Sequence, residues 1–177
     1  MRIIAGKHRG RKLVQFLGKD VRPTPDRVKE SLFQILSPRL SGARVLDLFA
    51  GSGALGLESL SRGASAVTFN DLASDSLNIL KKNLALLKEQ GEVKNLDYKS
   101  CLMQVTPHYD LIFADPPYAM DCCRDVLGAV AARNLLTEGG LVVYESEREE
   151  SPVDGWTLFD RRVYGRTKIF FFERSLS

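Results

Sequence analysis

Two short stretches of this 177-residue chain hold residue types that do chemistry. The first is Gly51-Ser52-Gly53-Ala54-Leu55-Gly56, with Asp47 four residues before it and Asp71 20 residues beyond Gly51. Glycines at this spacing let the backbone approach a ligand without side-chain clash, and a helix opening behind them aims free N–H groups at it. Asp47 decides the sign of that ligand. A carboxylate beside the loop repels a pyrophosphate and attracts a ligand with an ammonium or sulfonium group.

S-adenosylmethionine is such a ligand. Its amino group is expected at Asp47, directly or through water, and its ribose hydroxyls at Asp71. The second stretch is Asp115-Pro116-Pro117-Tyr118, after Leu111-Ile112-Phe113-Ala114. The lone pair of a planar exocyclic amine is delocalised into its base, so it is a poor nucleophile. A carboxylate and a backbone carbonyl held rigid by two prolines accept both amine hydrogens and steer the lone pair toward a methyl donor. Tyr118 offers a face on which the base stacks, worth about 1–3 kcal/mol.

These stretches need a scaffold, and the rest of the chain reads as one. Arg22-Pro23-Thr24-Pro25 is a stiff linker, because each Pro drives the preceding residue out of the helical region. A helix follows from Asp26. Strands are expected at Arg44–Phe49, Ala66–Asn70, Val93–Tyr98, Asp110–Ala114 and Leu141–Glu145. Helices are expected before Gly63, over Ser74–Lys88 and over Cys122–Asn134, with a turn at Gly139-Gly140. Trp156–Tyr164 and Arg166–Arg174 read as an antiparallel hairpin. Such alternation predicts an α/β fold, a mostly parallel doubly wound sheet with helices on both faces. Ligands in such sheets sit at the carboxyl ends of the strands, where both motifs fall.

Charge is uneven. The chain totals +3, yet residues 1–30 hold nine basic against three acidic residues, +6, and the remainder is −3. A basic arm on a slightly acidic body suggests a polyanionic partner at one end. Gly6 and Gly10 flank a turn that predicts a small basic β-hairpin from strands Arg2–Ala5 and Lys12–Phe16. Residues 1–25 are therefore expected as a basic extension that docks a polyanion, which the family resemblance given below implies is RNA, and 26–177 as a methyltransferase domain. Arg9, Arg11, Lys12, Arg22 and Arg27, together with Lys29, are candidates for phosphate contacts, and Pro117 lies beside the base.

No apolar run approaches the roughly 20 residues of a membrane span, and the start lacks a signal-peptide core. The expectation is a cytoplasmic monomer. Cys101, Cys122 and Cys123 have neither disulfide nor zinc spacing and read as free thiols, so no metal is expected. His8 and His108 are too far apart in sequence to suggest a pair.

The motifs also carry a resemblance. Residues 47–56 with 115–118 resemble the amino-methyltransferases of the class I S-adenosylmethionine group. Arg2-Ile3-Ile4-Ala5-Gly6, Gly10-Arg11-Lys12-Leu13, residues 22–33 and Tyr164-Gly165-Arg166-Thr167 resemble the bacterial RsmD family. The resemblance covers nearly the whole chain. It implies a Rossmann-like sheet of seven strands with an N-terminal extension, and methylation of the 2-amino group of one guanine in 16S ribosomal RNA or a small-subunit assembly intermediate. It implies Asp47, Phe49, Gly51, Gly53 and Asp71 on the cofactor, and Asp115, Pro116 and Tyr118 at the catalytic corner. The family usually has an Asp after the third strand for the adenine amino group; this sequence departs there, its place falling near Ser100 and Cys101, so Ser100 or the Cys101 backbone is expected to bond the adenine. Other readings share parts of this evidence: methylation of adenine in nucleic acid or of a protein glutamine, an RNA-docking protein without activity, and a dinucleotide oxidoreductase.

Overall fold

The computed structural model describes residues 1–16, 24–106 and 108–176. Strand alternation divides its core into two layers. Val45, Val67, Phe69, Leu111, Phe113, Leu141, Val143, Ile169 and Phe171 point to one face of the sheet. Leu46, Ile112, Val142, Tyr144, Phe170 and Phe172 point to the other. Both faces are apolar, so both must be covered, as parallel sheets require.

The strands are β1 (Arg44–Asp47), β2 (Ala66–Asn70), β3 (Glu92–Lys94), β4 (Tyr109–Ala114), β5 (Leu136–Ser146), β6 (Trp156–Tyr164) and β7 (Thr167–Arg174). Their order is β3-β2-β1-β4-β5-β7-β6. The first five run parallel, and β7 joins β5 and β6 antiparallel. Helices α1 (Asp26–Leu36), α2 (Ala54–Ser61) and α3 (Ser74–Leu87) cover the first face through Phe33, Leu57 and Leu80. Helices α4 (Tyr98–Gln104) and α5 (Cys123–Ala132) cover the second through Leu102 and Val126. Each such fully buried side chain is worth about 1.5–3 kcal/mol relative to exposure. This is the doubly wound, Rossmann-like arrangement expected from the alternation.

Three local expectations are corrected. The third strand ends at Lys94; of the stretch expected to continue it, residues 95–97 are a loop and Tyr98 opens helix α4, capped by Asp97, whose side chain accepts from Ser100 N at 2.9 Å. Strand β5 does not begin after a turn at Gly139-Gly140. It runs through both glycines, with Gly139 at φ +76° and a register shift opposite β4. The N-terminal hairpin is shorter than expected: Arg2 and Lys12 form an antiparallel bridge, with Ile3 N donating to the Arg11 carbonyl at 2.9 Å and Leu13 N to the Met1 carbonyl at 3.0 Å.

A buried carboxylate holds this arm on the fold. Glu58 of α2 accepts hydrogen bonds from Ile4 N and Ala5 N at 3.0 and 3.1 Å. Lys29 is fully buried beside it at 3.1 Å and donates to the Arg2 carbonyl at 2.6 Å. Lys29 is therefore part of the core of the fold, not an RNA contact. Further along, Glu89 takes His8 at 2.7 Å and also pairs with Lys7, which holds its carboxyl below the usual range despite partial burial. Ile3 and Leu13 complete the docking by entering the same core as α1 to α3.

Candidate active site

The parallel strands end on one side of the sheet, and β1 has neighbours that lead away in opposite directions, β2 and β4. A cavity of about 600 Å³ opens at this switch point. The loop after β1 forms its floor. Ala50 N donates to the Asn70 carbonyl at 2.8 Å, and the Asn70 side chain donates to the carbonyls of Leu48 and Leu96. One buried amide thus ties the ends of β1 and β2 to the segment following β3.

Asp71 follows β2 and lines the cavity. Its two carboxylate oxygens accept from Gly51 N and Ala73 N, both at 2.8 Å. These bonds fix the carboxylate and leave lone pairs facing the cavity for a diol. At Gly51, φ is +57°, and a Cβ there meets no atom within 4 Å. The loop is thus open to a ligand at this glycine. At Gly53, by contrast, φ is +95° and a Cβ collides with Leu80 at 2.5 Å, so its lack of a side chain serves helix packing.

The opposite wall holds Phe49 and Tyr98, with ring centroids 5.6 Å apart. Asp97 lies on the same rim. Both its oxygens accept from Ser100, which holds its carboxyl below the usual range. Asp115, Pro116, Pro117 and Tyr118 close the far end. Pro116 is buried, Tyr118 is 53% exposed, and Met120 N donates back to the Pro117 carbonyl at 2.9 Å. The aromatic ring therefore stands at the mouth, available for stacking.

The expected residues divide by position. Phe49, Gly51, Asp71, Asp115, Pro116, Pro117 and Tyr118 converge on the cavity. Asp47 lies behind its wall, 2% exposed, with one oxygen accepting from Gly56 N at 3.0 Å. Gly53 is behind it too. Ser100 and Cys101 belong to α4 rather than the lining; the Cys101 side chain is fully buried, and burial pushes its thiol up to about 12. Arg27 lines a second cavity of about 440 Å³ that meets the first at Thr24, Tyr118 and Glu145. Arg9, Arg11 and Lys12 are exposed on the arm, Arg11 donating to the Leu86 carbonyl at 3.0 Å. Arg22 lies outside the described residues.

Sequence reasoning missed four residues. Asn70 looked like the end of a strand. Asn83 of α3 looked like a polar helix position, yet it bonds Val14 N, the Val14 carbonyl and the Ser52 carbonyl at 2.7–3.0 Å. Asp97 had a readable signal, a capping side chain three residues before a serine. Glu145 had none, because its place beside Asp115 depends on the pairing of β4 with β5.

Electrostatics select the ligand. Among the described residues, no Lys, Arg or His lines the large cavity, while Asp71, Asp97, Asp115 and Glu145 do. Burial pushes Asp47 up to about 7, with the charges of Asp115 and Asp71 adding to the effect. Burial likewise raises Asp115, and raises Glu145 together with the neighbouring charge of Asp115. A mostly apolar cavity with this many carboxyls favours a ligand with an apolar body and positive charge. Among the described residues, no group of three His, Cys, Asp or Glu stands ready for a metal, and no helix is long and apolar enough to cross a membrane.

Known proteins resemble this chain over most of its length. The family described as conserved hypothetical protein 95 matches residues 1–173. A ribosomal RNA small subunit methyltransferase D from Haemophilus influenzae is 41% identical over 172 residues, covering 93% of this chain and 89% of that protein. The Escherichia coli K12 protein of the same name is 37% identical over 179 residues, covering 98% and 90%. A solved Escherichia coli structure named as a methyltransferase superposes with a TM-score of 0.89 at 36% identity, covering 100% of this chain and 99% of that one. The matches run along nearly the whole chain, and the chain belongs to the RsmD family, with a Rossmann-like class I methyltransferase fold.

Proposed function

We propose that this protein transfers a methyl group from S-adenosylmethionine to the exocyclic 2-amino group of a guanine in 16S ribosomal RNA, acting on the RNA or on a small-subunit assembly intermediate in the cytoplasm. The observation that carries the reading is the Asp115 corner at the end of a cavity lined by carboxyls and by no basic side chain among the described residues. The relatives named as small-subunit methyltransferases support the substrate class, and the family resemblance supports guanine N2.

The residues present fit the cofactor. Asp71, fixed by two backbone donors, suits a ribose diol. Gly51 leaves room at the loop. Phe49, Tyr98 and the Asp97 rim suit adenine, taking the place expected for Ser100 and Cys101. Asp47 acts from behind the loop as negative charge for the methionine end. When bound, S-adenosylmethionine supplies a methyl group activated on a sulfonium.

The chain's own residues prepare the amine. Asp115 and the carbonyl of Pro116 accept its two hydrogens, and Tyr118 holds the base by stacking. As positive charge grows on nitrogen, Asp115 stabilises it and then takes the proton. The base must leave its stack to reach this corner, since its amino group is otherwise shielded by neighbours. Residues 1–25 serve as the docking extension and 26–177 as the transfer domain. Arg9, Arg11, Lys12, Arg22 and Arg27 take phosphates, and Pro117 borders the extruded base.

The test is methyl transfer from labelled S-adenosylmethionine to small-subunit RNA and to subunits lacking the modification, with nucleoside analysis and an Asp115→Ala control. The expected result is label in 2-methylguanosine, reduced about 10²–10³-fold or more by the substitution. Label in 6-methyladenosine, or on protein alone, overturns the substrate.

A further inference from the structure

Glu145 stands at a junction that the reaction as derived does not use. It lies on β5 one residue past Tyr144, which pairs with Ala114, so β4 and β5 deliver Glu145 and Asp115 side by side. It borders the large cavity, the second cavity and a smaller one behind Tyr118. Both carboxyls line the large cavity and the smaller one. Among the described residues, no Lys, Arg or His forms a salt bridge or hydrogen bond with it. Arg27 and Arg166 line the adjoining cavity without pairing with it.

Two neighbouring carboxyls partly removed from water are unfavourable for the fold. Among the described residues, neither caps a helix or pairs with a cation. Burial raises both carboxyls, and the charge of Asp115 raises Glu145 further. Such a pair is at ease when two neighbouring N–H donors face it. Among the four RNA bases, guanine presents two adjacent donors next to its exocyclic amine, N1–H and the 2-amino group. Adenine and cytosine present an amine beside a ring nitrogen that accepts.

We infer that Glu145 reads the N1–H of the target guanine while Asp115 holds the 2-amino group, so that the pair selects guanine at the base edge. This rests on the proposed guanine N2 reading. When the base enters, its two donors face the two carboxyls. A base with an acceptor at N1 meets a carboxylate there instead, and two acceptors facing each other in a dry site are strongly rejected. Selection against adenine is thereby built into the same corner that positions the amine.

The decisive comparison uses RNA carrying 2,6-diaminopurine at the mapped position. That base keeps the 2-amino group and replaces N1–H by an acceptor nitrogen. Wild-type protein is expected to methylate guanine about a hundredfold faster or more. Equal rates on the two bases overturn the inference while leaving guanine methylation intact. Absence of label in guanine would instead overturn the proposed function. Glu145→Gln and Glu145→Ala follow, with S-adenosylmethionine binding measured by calorimetry as a check on folding. The Gln amide can donate to an N1 acceptor, so Glu145→Gln is expected to narrow the preference to within about tenfold. An unchanged preference in a variant that folds and binds cofactor overturns the inference. A role confined to stability would lower both rates together.

Discussion

Glu58 and Lys29 meet at 3.1 Å with neither side chain reaching solvent. The pair sits between α2, which follows the glycine loop, and α1, which follows the basic arm. Glu58 also holds Arg62 and the arm's backbone. Desolvation lowers the Lys29 pKa, and Glu58 pulls it back. Lys29→Met leaves Glu58 short of a buried partner and the Arg2 carbonyl without a donor. Urea unfolding should show a loss of roughly 3–5 kcal/mol. A loss under about 1 kcal/mol would mean that the arm is not held here.

Asp47 links cofactor affinity to pH. Its folded value is raised to about 7, chiefly by burial. Because that lies above the unfolded value near 4, its contribution to stability is full below about pH 4 and is lost as pH rises to about 7. Cofactor binding carries the opposite sign, since a cation favours ionised Asp47. S-adenosylmethionine affinity measured by calorimetry should rise between pH 6 and 8. Asp47→Asn should weaken binding and flatten this rise. An equal rise in the variant would assign it to other carboxyls.

The placement of adenine can be separated from the α4 residues first suggested by spacing. Asp97→Ala should weaken S-adenosylmethionine binding severalfold and cost about 1 kcal/mol of stability through the lost helix cap. Cys101→Ala creates a small void and should reduce stability without changing the dissociation constant. The reverse pattern would return the adenine contact to Cys101.

Arg27 is exposed at the start of α1 and borders the second cavity. Arg27→Glu should weaken RNA binding and lower the salt dependence of affinity by about one phosphate contact, with cofactor affinity kept. Filter binding at several salt concentrations reads this. Parallel losses of RNA and cofactor binding would point to a damaged fold.

Much of this architecture was legible because its signals are local. Asp47, the glycine loop, Asp71 and the Asp-Pro-Pro-Tyr corner each lie at a strand end that the apolar runs mark. Asp71 shows how far such reading goes: its position was foreseen, but not the two backbone bonds that fix it. Helix α4 was hidden because its seven residues are too few for a helical period to stand out, and the preceding strand is only three residues long. Strand β5 was shortened because Gly139-Gly140 has the composition of a turn, while pairing with β4 overrides that preference. Lys29 looked like one more basic residue of the arm. Its burial depends on Glu58, 29 positions later, which no periodicity connects to it. Glu145 was likewise invisible until strand pairing set it beside Asp115.

Asn83 gives the molecule one more property. Its single side chain supports Val14 on the arm and Ser52 on the glycine loop. Solvent that enters to release one segment removes the partner of the other, so the two should open as one cooperative unit. The basic end and the loop are distant in function yet share one local unfolding equilibrium.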